Sequence, residues 1–298
     1  MNIKKRLIGL LGSGARTQEA SVEIDKREAG LLAVAASKFK ANVGGMPPTV
    51  LSDGKYEYQF VCHTQKERNR ASRLFEKEKG TIAWIDRELR PDDVFYDVGA
   101  NIGTFTIFAG HRLGEKGRAY SFEPHIPNAN SLIENIFLNK LEKKVRLVTL
   151  ALTDHESYDN FNYHSMYAAA STSQYGGNSY EGVEFAPVFV EIKHGCSLDL
   201  LCTKGIIQPP NMVKIDVDGL DFEVLEGMRI LMASSEGPRS IQIELGSDSK
   251  PKIMKLCEEL GYVLKEKHWS QAGLDFIAKG NDPEDYPHNG IFCHPGHV

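Results

Sequence analysis

Apolar and polar positions change rhythm near residue 92. Before that point the pattern is uneven. Ala, Leu and Val among charges predict a helix over Ala20–Lys40, broken by Gly44-Gly45-Met46-Pro47-Pro48. Tyr56–Val61 alternates with period two and predicts a strand. Glu67–Arg90 predicts a helix interrupted at Gly80, with Leu74, Phe75, Ile82, Trp84, Ile85 and Leu89 available to pack. After residue 92 short apolar runs alternate with helical patterns. The runs are Val94–Val98, Arg118–Phe122, Val145–Leu150, Met212–Ile215 and Ile241–Leu245. Helices are expected from near Ile102, over Asn128–Asn139, over Leu220–Leu231 and over Lys252–Leu260. Gly261–Leu264 and Leu274–Ala278 are expected to close the fold as an antiparallel pair of strands.

Strand–helix alternation of this spacing builds βαβ units, because parallel strands need long crossovers. Right-handed crossovers then put helices on both faces of the sheet. Residues 155–195 break the rhythm with Tyr, Asn, Ser, Gly and His, and alternation returns only at Val188–Ile192. A loop-rich insertion carrying a hairpin is expected there, long enough to serve as a lid or substrate wall. The organisation expected is an N-terminal helical and strand extension over 1–90, an α/β domain over 91–280 and a polar tail over 281–298.

Composition narrows the class. The chain has 298 residues, 41% hydrophobic and 25% charged, as in globular proteins. Its formal net charge is -5, and the basic runs at Lys4–Arg6 and Lys66–Arg73 are short or interrupted by acids. Nucleic acid is therefore not the expected partner. No run reaches the ~18 apolar residues of a membrane span. Five widely spaced cysteines are not a disulfide framework. A cytoplasmic protein is the expectation, and homo-oligomerisation is compatible with it.

The chemistry concentrates at the first βα joint. Asp97-Val98-Gly99-Ala100-Asn101-Ile102-Gly103 closes an apolar strand and opens a helix. Gly99 permits a sharp turn, and Gly103 permits close approach of helix, sheet and ligand. Glu123 ends the next strand and can accept both hydroxyl hydrogens of a ribose. These residues suit either a nicotinamide dinucleotide or S-adenosylmethionine. The missing third glycine of the dinucleotide pattern favours the smaller cofactor. Gly9-Leu10-Leu11-Gly12-Ser13-Gly14 also pairs glycines, but no βαβ unit follows it.

The joint resembles the first motif of the FkbM family of class I S-adenosylmethionine-dependent methyltransferases. The resemblance extends through Phe122-Glu123-Pro124, Ala151-Leu152-Thr153-Asp154, Cys196-Ser197-Leu198-Asp199 and Lys214-Ile215-Asp216-Val217-Asp218-Gly219, continuing to Gly227. It implies a Rossmann-like class I methyltransferase sheet, mostly parallel with a C-terminal antiparallel strand. It also implies that the Asp97–Gly103 turn, including Ala100 and Asn101, holds the methionine end of the cofactor. Glu123 then takes the ribose with Pro124 beside it, and Ala151 and Asp154 approach the adenine. Asp218 stands where the family usually has glutamate, and Leu220-Asp221 replaces an alanine–glutamate pair.

Methyl transfer to an alcohol needs alignment and a base for the departing proton. Asp216 and Glu244 end neighbouring strands at the edge where α/β sheets bind ligands, which makes them candidate acceptor-binding or proton-accepting carboxylates. His125 follows the cofactor edge and is a further candidate. His164 and His194 flank the insertion and are candidates to line the acceptor site. No dedicated metal signature appears among Asp216, Asp218 and Glu244, and Cys293, His294 and His297 lack a convincing fourth ligand even with His288 nearby. Similarity to FkbM enzymes implies O-methylation of a hydroxyl on a sugar, glycoconjugate or natural product. A non-catalytic cofactor-binding or regulatory protein, or an NAD-dependent oxidoreductase, would share the fold.

Overall fold

The computed structural model describes residues 47–180 and 183–297. The helix expected over Ala20–Lys40, the Gly9–Gly14 segment and the residues up to Met46 lie outside the described residues. A short hairpin, β1 (Thr49–Ser52) with β2 (Glu57–Phe60), comes first. Three helices follow: α1 (Gln65–Ser72), α2 (Leu74–Lys77) and α3 (Lys79–Glu88). The single expected helix is thus divided, and its breaks fall at Arg73 and Glu78 rather than at Gly80. Gly80 has a packing role instead. A Cβ there would lie 2.3 Å from the His268 ring, so its absence lets α3 close on the sheet.

The alternating region then delivers β3 (Val94–Val98), α4 (Thr104–Arg112), β4 (Arg118–Phe122), α5 (Ile126–Leu138) and β5 (Val145–Val148). An accessory sheet follows, from β6 (Ala151–Leu152), β7 (Ser157–Tyr163), β8 (Gln174–Tyr175) and, beyond the small β9 (Ser179–Tyr180) and β10 (Val183–Glu184) pair, β11 (Phe189–Cys196). Strands β7 and β11 pair antiparallel over their length, from Phe189 opposite Tyr163 to Gly195 opposite Ser157. The insertion is therefore more regular than its polar composition suggested. Aromatic and β-branched residues such as Phe161, Tyr163, Phe189, Val190 and Ile192 are interleaved with polar ones along the long pair.

The second half of the domain adds α6 (Leu198–Thr203), β12 (Met212–Ile215), α7 (Asp221–Glu226), α8 (Arg229–Ala233), β13 (Ser240–Leu245), α9 (Lys250–Glu259), β14 (Val263–His268), α10 (Gln271–Ala278) and β15 (His288–Cys293). Two expectations fail here. Leu274–Ala278 lies in α10, and the partner of β14 is β15, drawn from the segment expected to be a loose tail. A short apolar run such as Leu274-Asp275-Phe276-Ile277-Ala278 suits either element, and tertiary pairing decides.

Among the described residues the main sheet has the order β14-β15-β13-β12-β3-β4-β5. Strands β5, β4, β3, β12 and β13 run parallel, whereas β15 runs antiparallel to both of its neighbours. The sheet is thus mixed, with one reversed strand lying inside it rather than at its edge. Helices cover both faces. On one face Val213, Ile215, Ile241 and Ile243 pack against Val224, Leu225 and Ile253. On the other, Phe95, Ala119 and Met212 pack with Trp84, Ile107, Phe108 and Leu132. The Trp84 indole N–H donates to Ser240 Oγ at 2.8 Å, tying α3 directly to β13.

Candidate active site

Parallel α/β sheets bind ligands beyond the carboxyl ends of their strands, where crossovers diverge. A cavity of about 290 Å³ opens at that edge, over the ends of β3, β4, β12 and β13. Its floor begins at the β3–α4 turn. Gly99, Asn101 and Gly103 all have positive φ, at 76°, 53° and 87°. A Cβ at Gly99 would lie 1.9 Å from the carbonyl oxygen of Asp216, so only glycine lets the two strand ends meet. At Gly103 a Cβ would lie 2.1 Å from Leu132 Cδ1, which fixes how closely α4 and α5 approach.

Glu123 is buried at the end of β4. Its Oε2 accepts from the Asn101 N–H at 2.6 Å and its Oε1 from the His125 N–H at 2.9 Å. Burial pushes its pKa up to about 7, against the pull of these amides. Phe122, Leu150, Ala151, Leu152 and Phe161 add an apolar wall beside it. A buried acceptor next to an apolar slot can hold a ribose diol and a flat base.

Asp216 and Glu244 open into the same cavity. The Asp216 side chain is 42% exposed and its Oδ2 lies 3.2 Å from the Lys214 ammonium. Burial of the carboxyl works toward neutrality, but Lys214 outweighs it and keeps Asp216 below the ordinary carboxylate range. Glu244 is shifted the other way. Burial, then the charges of Asp216 and Asp218, push it up to about 7. Two carboxylates on adjacent strands thus differ in basicity, a common basis for dividing roles.

Lys214 belongs to a buried polar row running beneath the cavity. Gln242, Lys214, Asp97 and Ser121 are cross-strand neighbours on β13, β12, β3 and β4. Lys214 Nζ is 3.5 Å from Asp97 Oδ1, and Asp97 Oδ2 accepts from the Thr106 hydroxyl at 2.6 Å. Burial disfavours the ammonium, but Asp216 and Asp97 more than compensate and raise its pKa.

Gly99, Asn101, Glu123, Pro124, His125, Ala151, Asp216 and Glu244 therefore gather around one cavity. Others do not reach it. Asp97 is fully buried under the turn and serves Lys214 and Thr106. Ala100 and Gly103 shape the turn without lining the cavity; the Ala100 amide is spent on Phe122 O. Asp154 is exposed, bonds to Thr153 and His155, and does not line the cavity. His125 has no free nitrogen for a base. It caps α5 through Nδ1, which accepts from the Asn128 N–H, and Nε2 donates to the Ser165 carbonyl at 2.7 Å. His194 stacks on Tyr158 and pairs with Glu156, and neither it nor His164 lines the cavity.

Residues outside the sequence motifs also line the cavity. The 169–175 strap supplies Ala170, Ser171, Ser173 and Tyr175. It is tied to one bank because Ala170 O accepts from the side-chain amides of Asn101 and Asn128, at 2.8 and 3.0 Å. On the other bank the Thr172 N–H donates to Asp218 Oδ2 at 2.6 Å. The departure from sequence rhythm over 155–195 was the available signal. Arg70 and Lys77 line the cavity from α1 and α2, where the sequence shows only charged helix faces.

Residues 97–264, more than half of the chain, match the methyltransferase FkbM domain. The chain belongs to the FkbM methyltransferase family. It is thus an S-adenosylmethionine-dependent methyltransferase and not an NAD-dependent oxidoreductase. Among curated proteins it is similar to hexuronic acid methyltransferase AglP of Haloferax volcanii, 29% identical over 71% of this chain and 80% of that protein. A shorter stretch is similar to AMB antimetabolite synthetase AmbE of Pseudomonas aeruginosa, 35% identical over 28% of this chain and 4% of that one. Among solved structures it is similar to methyltransferase FkbM from Methylobacillus flagellatus, with 12% identity, a TM-score of 0.44, and coverage of 70% of this chain and 44% of that one. Among the described residues no helix is long and apolar enough to cross a membrane, and no group of three His, Cys, Asp or Glu side chains is arranged to hold a metal ion.

Proposed function

We propose that this enzyme transfers a methyl group to a hydroxyl oxygen of a sugar or sugar-bearing small molecule. The observation that carries the reading is one cavity lined jointly by the Gly99–Asn101 turn, Glu123, Asp216 and Glu244. When bound, S-adenosylmethionine supplies a methyl group already activated on a sulfonium. Glu123 would accept from its ribose hydroxyls, Pro124 would form a rigid edge, and Leu150, Ala151 and Leu152 would flank its adenine. Gly99 and Asn101 would hold its methionine portion.

The acceptor hydroxyl must lose its proton as the O–C bond forms and the S–C bond breaks. A base with a pKa near the working pH suits that step. Glu244, pushed up to about 7, fits it. Asp216, held charged by Lys214, is the weaker base and orients the hydroxyl instead. A sugar acceptor is supported by the similarity to AglP, whose name states a hexuronic acid substrate.

Calorimetry with S-adenosylhomocysteine tests the cofactor site, and incubation of the enzyme with S-adenosylmethionine and a panel of sugars tests the chemistry. The expected product carries a methyl ether, stable to mild alkali. An alkali-labile methyl would identify a carboxylate oxygen as the nucleophile, which needs no base, and would overturn the role given to Glu244.

A further inference from the structure

We infer that Arg70, seconded by Lys77, binds a carboxylate of the methyl acceptor, so that the acceptor is an acidic sugar. This inference rests on the methyltransferase reading of the cavity and adds the class of its second substrate.

Helix α1 is anchored at both its cap and its inner face. Thr64 and Glu67 form a reciprocal capping box, and the buried Glu67 also accepts from the Ser131 hydroxyl on α5 at 2.7 Å. Ala71, four residues on, is buried as well. Arg70 lies three residues after Glu67 and so shares the helix face turned toward the domain. Arg70 is half-buried and is one of the residues lining the cavity. Among the described residues its side chain makes no hydrogen bond or ion pair, although its charge favours the ionised forms of Asp216 and Asp218.

A partly desolvated guanidinium with five donors and no acceptor calls for a partner. A carboxylate supplies two parallel bonds of matching geometry. Lys77, at the end of α2, adds a second cation to the same wall, 3.7 Å from Glu78. The acids facing these cations are already partly compensated. Asp216 pairs with Lys214, Asp218 accepts from the Thr172 amide, and Glu244 and Glu78 are both shifted toward neutrality by burial. The cavity thus brings together acidic groups suited to a hydroxyl and cations suited to a carboxylate. Hexuronic acids carry both groups on one ring.

The test uses the full chain saturated with S-adenosylhomocysteine, titrated calorimetrically with methyl α-D-glucuronide, its neutral counterpart methyl α-D-glucoside, and glucose 6-phosphate. The glucuronide is expected to bind at least tenfold more tightly than the glucoside. Arg70→Gln should abolish that preference while leaving S-adenosylhomocysteine affinity unchanged, and Arg70→Lys should restore part of it. Equal binding of glucuronide and glucoside, including binding of neither, overturns the inference. So does weakened S-adenosylhomocysteine binding in Arg70→Gln, which would assign the guanidinium to the cofactor. Tighter binding of glucose 6-phosphate than of the glucuronide overturns the carboxylate assignment in favour of phosphate. Failure of the wild-type chain to bind S-adenosylhomocysteine would instead defeat the underlying assignment of the cavity, and the acid preference is then measured without it.

Discussion

Lys214, fully buried within the sheet, holds its ammonium 3.2 Å from the Asp216 carboxylate that opens into the cavity. The same ammonium is 3.5 Å from Asp97 beneath the motif turn. One cation therefore joins the cofactor turn to the acceptor side. Breaking a buried pair by removing one partner typically costs about 3–5 kcal/mol. Lys214→Met is expected to destabilise the fold by that amount in urea unfolding. Lys214→Met combined with Asp97→Asn should recover part of the loss, because it removes the stranded charge.

As the proposed ribose acceptor, Glu123 should control cofactor affinity through its protonation. A charged carboxylate accepts from two ribose hydroxyls, whereas a protonated one gives up part of that capacity. With its pKa pushed up to about 7, S-adenosylhomocysteine affinity should rise as pH increases from 6 to 8. In Glu123→Gln the affinity should fall at least tenfold and lose this pH dependence. Calorimetry across that range provides the check.

The same shift makes Glu123 a burden on stability. Its folded pKa lies above the ordinary glutamate value of 4.5, so the folded state binds the extra proton between pH 4.5 and about 7. Stability contributed by this group therefore declines as pH rises through that window. Between pH 4.5 and 8 this group should cost the wild type about 1–3 kcal/mol, the scale set by 1.36 kcal/mol per pKa unit. Glu123→Gln should flatten that decline, while its amide nitrogen leaves one of the two backbone N–H donors without an acceptor at every pH. Thermal melts at both pH values decide it, and an unchanged pH dependence in the variant would contradict the account.

For turnover, Glu244→Gln should lower kcat by about 10²- to 10⁴-fold, the range of a removed general base. The wild-type enzyme should show an acidic limb in kcat/KM near pH 7 that this variant lacks. Asp216→Asn should mainly raise KM for the acceptor. Initial rates over pH 5.5–9 separate the two.

Deleting residues 281–298 should abolish folding. Strand β15 hydrogen-bonds to β13 on one side and β14 on the other, and Ile291 and Phe292 are fully buried in opposite face clusters. Removing it leaves a gap inside the sheet. A cooperative far-UV melt retained by the truncated chain would contradict this expectation.

How much of this was readable beforehand depended on where the causal interactions lie. The Val94–Val98 run, the glycines at 99 and 103, and Glu123 are local signals, since a parallel strand and its turn demand those residue types in order. The β15 strand was not readable, because His288-Asn289-Gly290-Ile291-Phe292-Cys293 has few strand-forming residues and owes its state to two flanking strands. The roles of His125 and Asp154 depended on side-chain direction, which spacing does not report. Arg70 looked like any solvated helix charge until the Glu67 anchor on Ser131 turned its face inward.

The cavity's walls come from separate stretches of chain, with Arg70 and Lys77 preceding the family-matched region 97–264 and the cofactor turn lying within it. Evolution can therefore retune one without disturbing the other. The β3–α4 turn is locked by steric contacts at Gly99 and Gly103 and by the Asp97–Lys214 pair, and it tolerates little drift. Helices α1 and α2 carry their cations at positions free of such locks. A change of one or two residues there would hand the same methyl-transfer engine a different clientele.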